Sequence, residues 1–167
     1  MNFTVRPFRP GEENYAADAQ RCIYSEEYRW GPAFTRYASK IALDFASREK
    51  TPGEELWVAE AEGKLIGCIM LCQSGEPLTG QLRLFLVEKA YRRSGVGKAL
   101  TQTLLQKAQE ARYRRIILWT AAPLTSAIRH YEKLGFRKVE ETENHDWSLD
   151  GETVTEVKML LDLASPG

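Results

Sequence analysis

A short basic turn between an apolar strand and a helix constrains this chain more than any other segment. Residues 82–87 form a strand-like apolar run, and apolar residues recur at a helical period over residues 97–111. The turn between them contains two glycines and three cations: Gly95, Gly97, Arg92, Arg93 and Lys98. The first N–H groups of a helix lack partners within the helix, and the helix dipole adds partial positive charge there. The turn therefore predicts a binding site for a phosphate or pyrophosphate.

Two common phosphate-binding motifs do not match this turn. A P-loop ends in Gly-Lys-Ser/Thr, whereas Gly97-Lys98 is followed here by Ala99, and its first glycine position is occupied by Arg92. A dinucleotide-binding fingerprint requires a third glycine, where this chain has Leu100. The turn is therefore typical of neither class.

The rest of the chain alternates between strand and helix patterns. Strands are predicted at residues 3–8, 56–61, 65–71, 116–119, 136–141 and 154–161, and further helices at 12–29, 32–48 and 125–134. Loops are predicted at residues 74–80 and 144–152. The order β-α-α-β-β-β-α-β-α-β-β predicts a single α+β domain over residues 1–167.

Composition limits the classes of partner. Lysine and arginine total 23, as do aspartate and glutamate, so the net charge is zero and we expect no nucleic-acid partner, despite a local cluster at Arg112, Arg114 and Arg115. No apolar run approaches the ~18 residues of a membrane span, and the first residues lack the pattern of a secretory signal. The cysteine count is odd, at 3, with no Cys-x-x-Cys pair. We therefore expect a cytoplasmic protein without membrane contact, disulfide framework or bound metal.

Two segments of the sequence resemble the signatures of one family, the GNAT superfamily of N-acetyltransferases. The motif Arg92-x-x-Gly95-x-Gly97 after an apolar strand looks like the family's pyrophosphate loop for acetyl-CoA. A later helix contains Tyr131 and ends in Gly-Phe at residues 135–136, which looks like the second signature. The predicted strand at 116–119 lies between them, and finding both motifs in this order is specific.

The resemblance implies both a fold and an activity. The fold is the α/β (α+β) GNAT architecture, a mixed, mostly antiparallel central sheet flanked by helices. In it, the strand at residues 82–87 and the strand at 116–119 splay apart, and acetyl-CoA occupies the wedge. The activity is transfer of the acetyl group of acetyl-CoA to a primary amine of an unidentified small-molecule or peptide acceptor, by direct attack and without metal. Family members are often homodimers, so a dimer is also implied.

The resemblance also assigns the cofactor side by position. The strand end and the turn would bind the pantetheine arm and the pyrophosphate through Leu86, Val87, Arg92, Arg93, Ser94, Gly95, Val96, Gly97 and Lys98. Tyr131 would be the general acid for the CoA thiolate, because a phenol with a pKa near 10 keeps its proton until the thiolate forms. Many family members have an asparagine where this chain has Leu124, so one polar contact to the cofactor arm is missing.

The acceptor side is less defined in the sequence. Tyr24, Tyr28 and Trp30 lie in the region that covers the acceptor mouth in this family, and their π faces suit a cationic amine. His145 in the last loop is the candidate base, because its unperturbed pKa lies near neutrality. The same aromatic residues are also what ordinary helix packing requires, and a lone loop histidine is commonly just exposed. The sequence leaves both interpretations open.

A second function is compatible with the same motifs. A non-catalytic acyl-CoA-binding sensor or assembly module would keep the basic turn and omit the chemistry. The presence of Tyr131 favours the enzyme.

Overall fold

The computed structural model describes residues 2–163, so Met1 and residues 164–167 of the predicted domain lie outside the described residues. The helices are α1 (Glu13–Tyr28), α2 (Pro32–Ser47), α3 (Val96–Glu110) and α4 (Thr125–Leu134), and Lys89–Tyr91 forms a 3₁₀ turn. The strands are β1 (Thr4–Pro7), β2 (Glu55–Ala61), β3 (Lys64–Gln73), β4 (Thr79–Val87), β5 (Arg115–Ala121), β6 (Arg137–Asn144) and β7 (Val154–Asp162). The predicted order of strands and helices is confirmed.

The strands form one seven-stranded sheet in the order β1-β2-β3-β4-β5-β7-β6. Among the strands of residues 2–163, only the β4–β5 pair is parallel, and every other neighbouring pair is antiparallel. The predicted mixed, mostly antiparallel sheet flanked by helices is therefore confirmed.

Strands β2 and β3 carry apolar side chains on both faces, and helices pack against each face of the sheet. Ile69 and Leu71 pack with Leu100 and Leu104 of α3, in a core that also includes α4. The alternate residues of the same strand, such as Met70, point to the other face and pack with α1 and α2. Successive strand residues point to opposite faces, so a sheet buried on both sides reads as a nearly continuous apolar run.

Three predicted boundaries were wrong. The loop predicted at 74–80 ends early, because Thr79 and Gly80 already pair with β5. Strands β5 and β6 are also longer than predicted, and β6 pairs with β7 as far as Asn144. In each case the hydrogen bonds of a neighbouring strand extend the element into polar or glycine-containing sequence that propensity alone assigns to a loop.

The central sheet opens between β4 and β5. These strands pair only from Thr79↔Arg115 to Gln81↔Ile117, and beyond that point each continues without the other. The implied wedge is therefore present. Strand β4 also contains a bulge, because the register with β3 shifts between Met70↔Arg83 and Cys68↔Leu86. Leu84 in the bulge has a φ of 52°, a left-handed conformation that costs a leucine about 1–2 kcal/mol.

No helix among residues 2–163 has the length and apolar character needed to cross a bilayer. Within the same range, no group of His, Cys, Asp and Glu side chains has an arrangement suited to a metal ion. Cys22 is exposed, Cys68 and Cys72 are buried, and all three are unpaired thiols.

A buried carboxylate joins the end of α2 to the sheet. Glu54 is 6% exposed and accepts hydrogen bonds from the guanidinium of Arg48 at 2.8 and 2.6 Å. It also accepts from the backbone N–H groups of Thr51 at 3.0 Å and Gln73 at 3.2 Å. Burial alone would raise the pKa of Glu54, but these hydrogen bonds outweigh it and lower the pKa from 4.5 to about 2. The ionised form therefore stabilises the fold.

We expect Glu54→Gln to destabilise the protein by about 3 kcal/mol at pH 7, since a lowered pKa adds stability above the unfolded-state value. That stability is lost as the pH falls through the folded-state pKa, so the difference from wild type should shrink by about half between pH 7 and pH 3. Urea unfolding at several pH values measures it. The exposed Glu49→Gln variant is the control, and a difference independent of pH would contradict the prediction.

Candidate active site

A cavity of about 110 Å³ lies where β4 and β5 diverge. Strands β4, β5 and β7 form its floor, helices α1 and α2 cover it, and α4 contributes Tyr131. Its aromatic lining includes Trp30, Phe34, Tyr37 and Trp147, and its charged side chains are Arg83 and Glu156. The cavity therefore brings Tyr131 together with two of the predicted acceptor residues, Tyr24 and Trp30.

The basic turn presents free backbone donors at the start of α3. Within residues 2–163, none of the N–H groups of residues 93–98 donates to a protein acceptor. Arg93 has a φ of 64° and Gly95 a φ of 90°, so the backbone bends as anion-binding turns do. A Cβ added at Gly95 would meet no atom within 4 Å, so no side chain of the protein fills the space beside this glycine. These features fit a pyrophosphate.

The turn lies directly beside the end of β4. A Cβ on Gly97 would approach Phe85 to 3.3 Å and Val87 to 3.6 Å. Leu86 and Val87 pair with β3 on their other side. The predicted residues of the cofactor side are thus brought together, with Val96 buried and Ser94, Gly95 and Lys98 exposed.

Arg92 is engaged by the protein itself in this structure. Its Nε donates to the carbonyl of Val87 at 3.1 Å, and its terminal nitrogens contact the carboxylate of Glu27 at 3.0 and 3.3 Å. Arg92 therefore connects the basic turn to helix α1.

Tyr131 is buried at the inner end of the cavity. Its ring packs against Phe85 and Phe136, with centroid distances of 6.0 and 5.7 Å. Within residues 2–163 its hydroxyl has no hydrogen-bond partner. Burial raises the pKa of Tyr131, and Tyr24 adds to this effect. The phenol is therefore protonated at neutral pH and can donate to a ligand.

Sequence reasoning did not identify His130, the neighbour of Tyr131. Its Nε2 lies 3.2 Å from the hydroxyl of Thr101 in α3, and its ring stacks on Phe85 with centroids 5.5 Å apart. Burial lowers the pKa of His130, and the positive charge of Lys133 lowers it further. His130 therefore joins α4 to the first turns of α3 as a neutral ring.

The predicted acceptor residues are only partly brought together. Tyr24 and Trp30 line the cavity and stack on each other with centroids 5.2 Å apart. Tyr28 packs on both rings from outside the lining. His145 is exposed, its Nδ1 lies 3.3 Å from the hydroxyl of Thr153, and it does not line the cavity.

A different residue of the last loop reaches the cavity. Trp147 packs on Trp30 with centroids 5.2 Å apart, and its carbonyl accepts from the N–H of Gly31 at 2.7 Å. Arg29 and Asp150 form an exposed ion pair at 3.1 Å beside this contact. The loop between β6 and β7 is therefore fastened to the connection between α1 and α2.

The sequence analysis did not predict the two charged residues that line the cavity, Arg83 and Glu156. Arg83 precedes the bulge of β4, and its Nε is buried without a hydrogen-bond partner. Glu156 lies on β7, where burial raises its pKa and a hydrogen bond from Asn144 at 3.4 Å opposes the rise. Arg83 could have been identified from the sequence, because it is a single charged residue within an apolar strand. Nothing in the sequence places Glu156 beside it.

Comparison with known proteins agrees with this geometry. Residues 17–136 match the family described as the acetyltransferase (GNAT) family. The chain belongs to the GNAT family.

Individual relatives of this GNAT protein share part of their length with it. An N-acetylaspartate synthetase of Xenopus tropicalis is 38% identical over 96 residues, which are 58% of this chain and 35% of that protein. Human N-acetyltransferase 8B is 34% identical over 100 residues, which are 58% of this chain and 44% of that protein. The chain therefore spans less than half the length of these curated relatives.

Solved structures show the same fold at low sequence identity. A GNAT acetyltransferase from Kribbella flavida superposes with a TM-score of 0.77 at 21% identity, covering 96% of this chain and 98% of that one. The ribosomal-protein-S18-alanine N-acetyltransferase of Escherichia coli gives a TM-score of 0.75 at 18% identity, covering 99% and 97%.

We expect the buried environment of His130 to be measurable by titration. Its NMR-detected pKa should lie below the ordinary 6.5, because the ring loses hydration and faces Lys133. Lys133→Met should raise the pKa of His130 only partway, since burial is the larger cause. A pKa at or above 6.5 in wild type would contradict the structure around Tyr131.

Proposed function

We propose that this GNAT protein is an N-acetyltransferase that transfers the acetyl group of acetyl-CoA to a primary amine of a small-molecule or peptide acceptor. One observation carries the proposal. The basic turn with its free N–H groups borders the wedge of the sheet, and the same wedge contains the unpartnered hydroxyl of Tyr131. The basic turn thus lies beside Phe85, and Phe85 and Tyr131 both line the cavity.

Acetyl-CoA binding is assigned to the residues predicted for it. The N–H groups of residues 93–98 would hold the pyrophosphate, and Arg93 and Lys98 would add charge. The edge of β4 at Leu86 and Val87, which does not pair with β5, would pair with the amides of the pantetheine arm, as an added strand does. Arg92 would contribute from its position beside Glu27.

The chemistry follows from groups around the bulge of β4. The neutral amine nitrogen attacks the thioester carbon, and a carbon–nitrogen bond replaces the carbon–sulfur bond. The backbone at Leu84 and Phe85 would polarise the carbonyl. Tyr131 donates its proton to the departing sulfur, and Glu156 accepts the proton that the amine loses. A proton passing from Glu156 through solvent restores Tyr131.

Glu156 replaces His145 as the proposed base. Its carboxylate lines the cavity and burial raises its pKa toward the range useful for accepting a proton from an amine. The cytoplasmic location and a homodimer stay predictions of the sequence.

We expect Gly95→Ala to weaken CoA binding at least tenfold. Gly75 in the β3–β4 loop provides a matched control, because both glycines have a φ of 90° and open space around an added Cβ. Each substitution should cost about 1 kcal/mol of stability, since alanine is strained at positive φ. Only the change at Gly95 adds a methyl group to the turn that carries the free N–H groups. Calorimetric titration with CoA and thermal unfolding of both variants measure the difference, and equal CoA affinities would remove the turn from the site.

We expect Tyr131→Phe to lower kcat for acetyl transfer by about 10²-fold or more while CoA affinity is retained, because only the proton donor is lost. Thiol release from acetyl-CoA with a panel of amines measures turnover. Unchanged turnover would exclude Tyr131 as the acid. CoA binding without turnover in wild type and variant would favour the non-catalytic acyl-CoA-binding module instead.

A further inference from the structure

The cavity contains one cation and one anion that do not neutralise each other. Neither Arg83 nor Glu156 forms an ion pair with any side chain within residues 2–163. The Nε of Arg83 is buried without a hydrogen-bond partner among these residues, and the side chain lines the cavity together with Tyr37 and Glu156. Leaving a buried guanidinium donor unpaired is costly, so this position favours an anionic ligand group.

Both charges lie beside the reacting centre. Arg83 directly precedes Leu84, the left-handed residue of the bulge where the acetyl carbonyl is assigned. Glu156 pairs with Ala121 at the far end of β5. Strand β5 lies between the strands that bear Arg83 and Glu156, and both residues lie beyond the paired part of β4 and β5. Both side chains line the same cavity of about 110 Å³, so one small molecule in it can contact both.

We propose that the acceptor is a free α-amino acid, with its carboxylate bound by Arg83 and its amino group facing Glu156. The assignment rests on the proposed acetyltransferase function and names its substrate class. In an α-amino acid the carboxylate carbon is two bonds from the nitrogen. A carboxylate anchor must therefore lie next to the position of attack, as Arg83 does. A guanidinium also binds a carboxylate through two parallel hydrogen bonds, which fixes the direction of the amine.

The remaining walls indicate an apolar side chain on this amino acid. Trp30, Phe34, Tyr37 and Trp147 surround the charged pair with aromatic surface. Polyamines and aminoglycosides carry several positive charges, which Arg83 would repel and one carboxylate could not balance. An apolar or aromatic amino acid offers a carboxylate to Arg83, an amino group to Glu156 and an apolar side chain to the aromatic residues of the cavity.

Pairs of acceptors that differ only in the carboxylate test this assignment. L-phenylalanine is compared with phenethylamine, and L-leucine with isoamylamine, with spermidine as the polycation, using thiol release from acetyl-CoA. In wild type we expect kcat/KM for each amino acid to exceed that of its matched amine at least tenfold. Arg83→Gln should reduce this ratio to near one, mainly through a higher KM for the amino acid, and Arg83→Lys should restore part of it.

The exposed Arg137→Gln variant, whose side chain pairs with Asp162 at the edge of the sheet, is the control and should leave the ratio unchanged. Thermal unfolding of each variant verifies that it is folded. Equal reactivity of amino acids and amines, a preference for spermidine, or an unchanged ratio in Arg83→Gln overturns the assignment while acetyl transfer itself stands.

A binding measurement separates this proposal from the proposed function. Calorimetric titration of CoA-loaded protein with N-acetyl-L-phenylalanine should show binding that Arg83→Gln weakens at least tenfold, whether or not turnover is detected. Arg83-dependent binding without turnover supports the carboxylate site and contradicts the enzyme. Loss of both binding and turnover overturns the assignment, and absence of CoA binding contradicts the proposed function as well.

Discussion

The separation of β4 from β5 is the constraint on which the rest of this structure depends. The strands pair over only three residues each, and beyond Gln81↔Ile117 the middle of a seven-stranded sheet has two unpaired inner edges. Buried backbone groups need hydrogen-bond partners, so such a gap is stable only if a ligand, water or side chain can satisfy it. Helices α1 and α2 cover one side of the gap and Tyr131 reaches it from the other. The gap thus brings the end of β4 beside the basic turn, Tyr131 and the aromatic cavity close together.

Most of the fold could be predicted from the sequence because its signals are local. The period-3.6 spacing of Val96, Leu100 and Leu104 and the glycine at 135 define helices without reference to other segments. The predicted boundaries were wrong where pairing with another strand determines the conformation. Thr79, for example, belongs to a strand because β5 pairs with it. The bulge at Leu84 was beyond prediction for the same reason, since an apolar run looks regular until its register with β3 is known.

In the candidate site, too, the part formed by local sequence could be predicted and the part assembled from distant segments could not. Its cofactor side is continuous in sequence, so one turn and one helix were enough to predict it, and the structure brings those residues together. Its acceptor side is assembled from α1, α2, β4, β7 and a loop that are up to about 130 residues apart. His145 was chosen by its intrinsic pKa, yet its neighbour Trp147 is the one that faces inward. No local pattern indicates that Arg83 and Glu156 share a cavity.

The β6–β7 loop is held to the α1–α2 connection. Substitutions in these two connections therefore have different consequences from substitutions in the sheet. The charged residues of the cavity are built into sheet strands, where substitutions disturb register and core packing. The aromatic wall instead comes from helices and a loop joined by the Gly31–Trp147 hydrogen bond. Related sequences can therefore enlarge, shrink or reshape the wall by exchanging residues in two surface connections while the sheet stays intact. Selectivity among acceptors can then diverge faster than the reaction that they undergo.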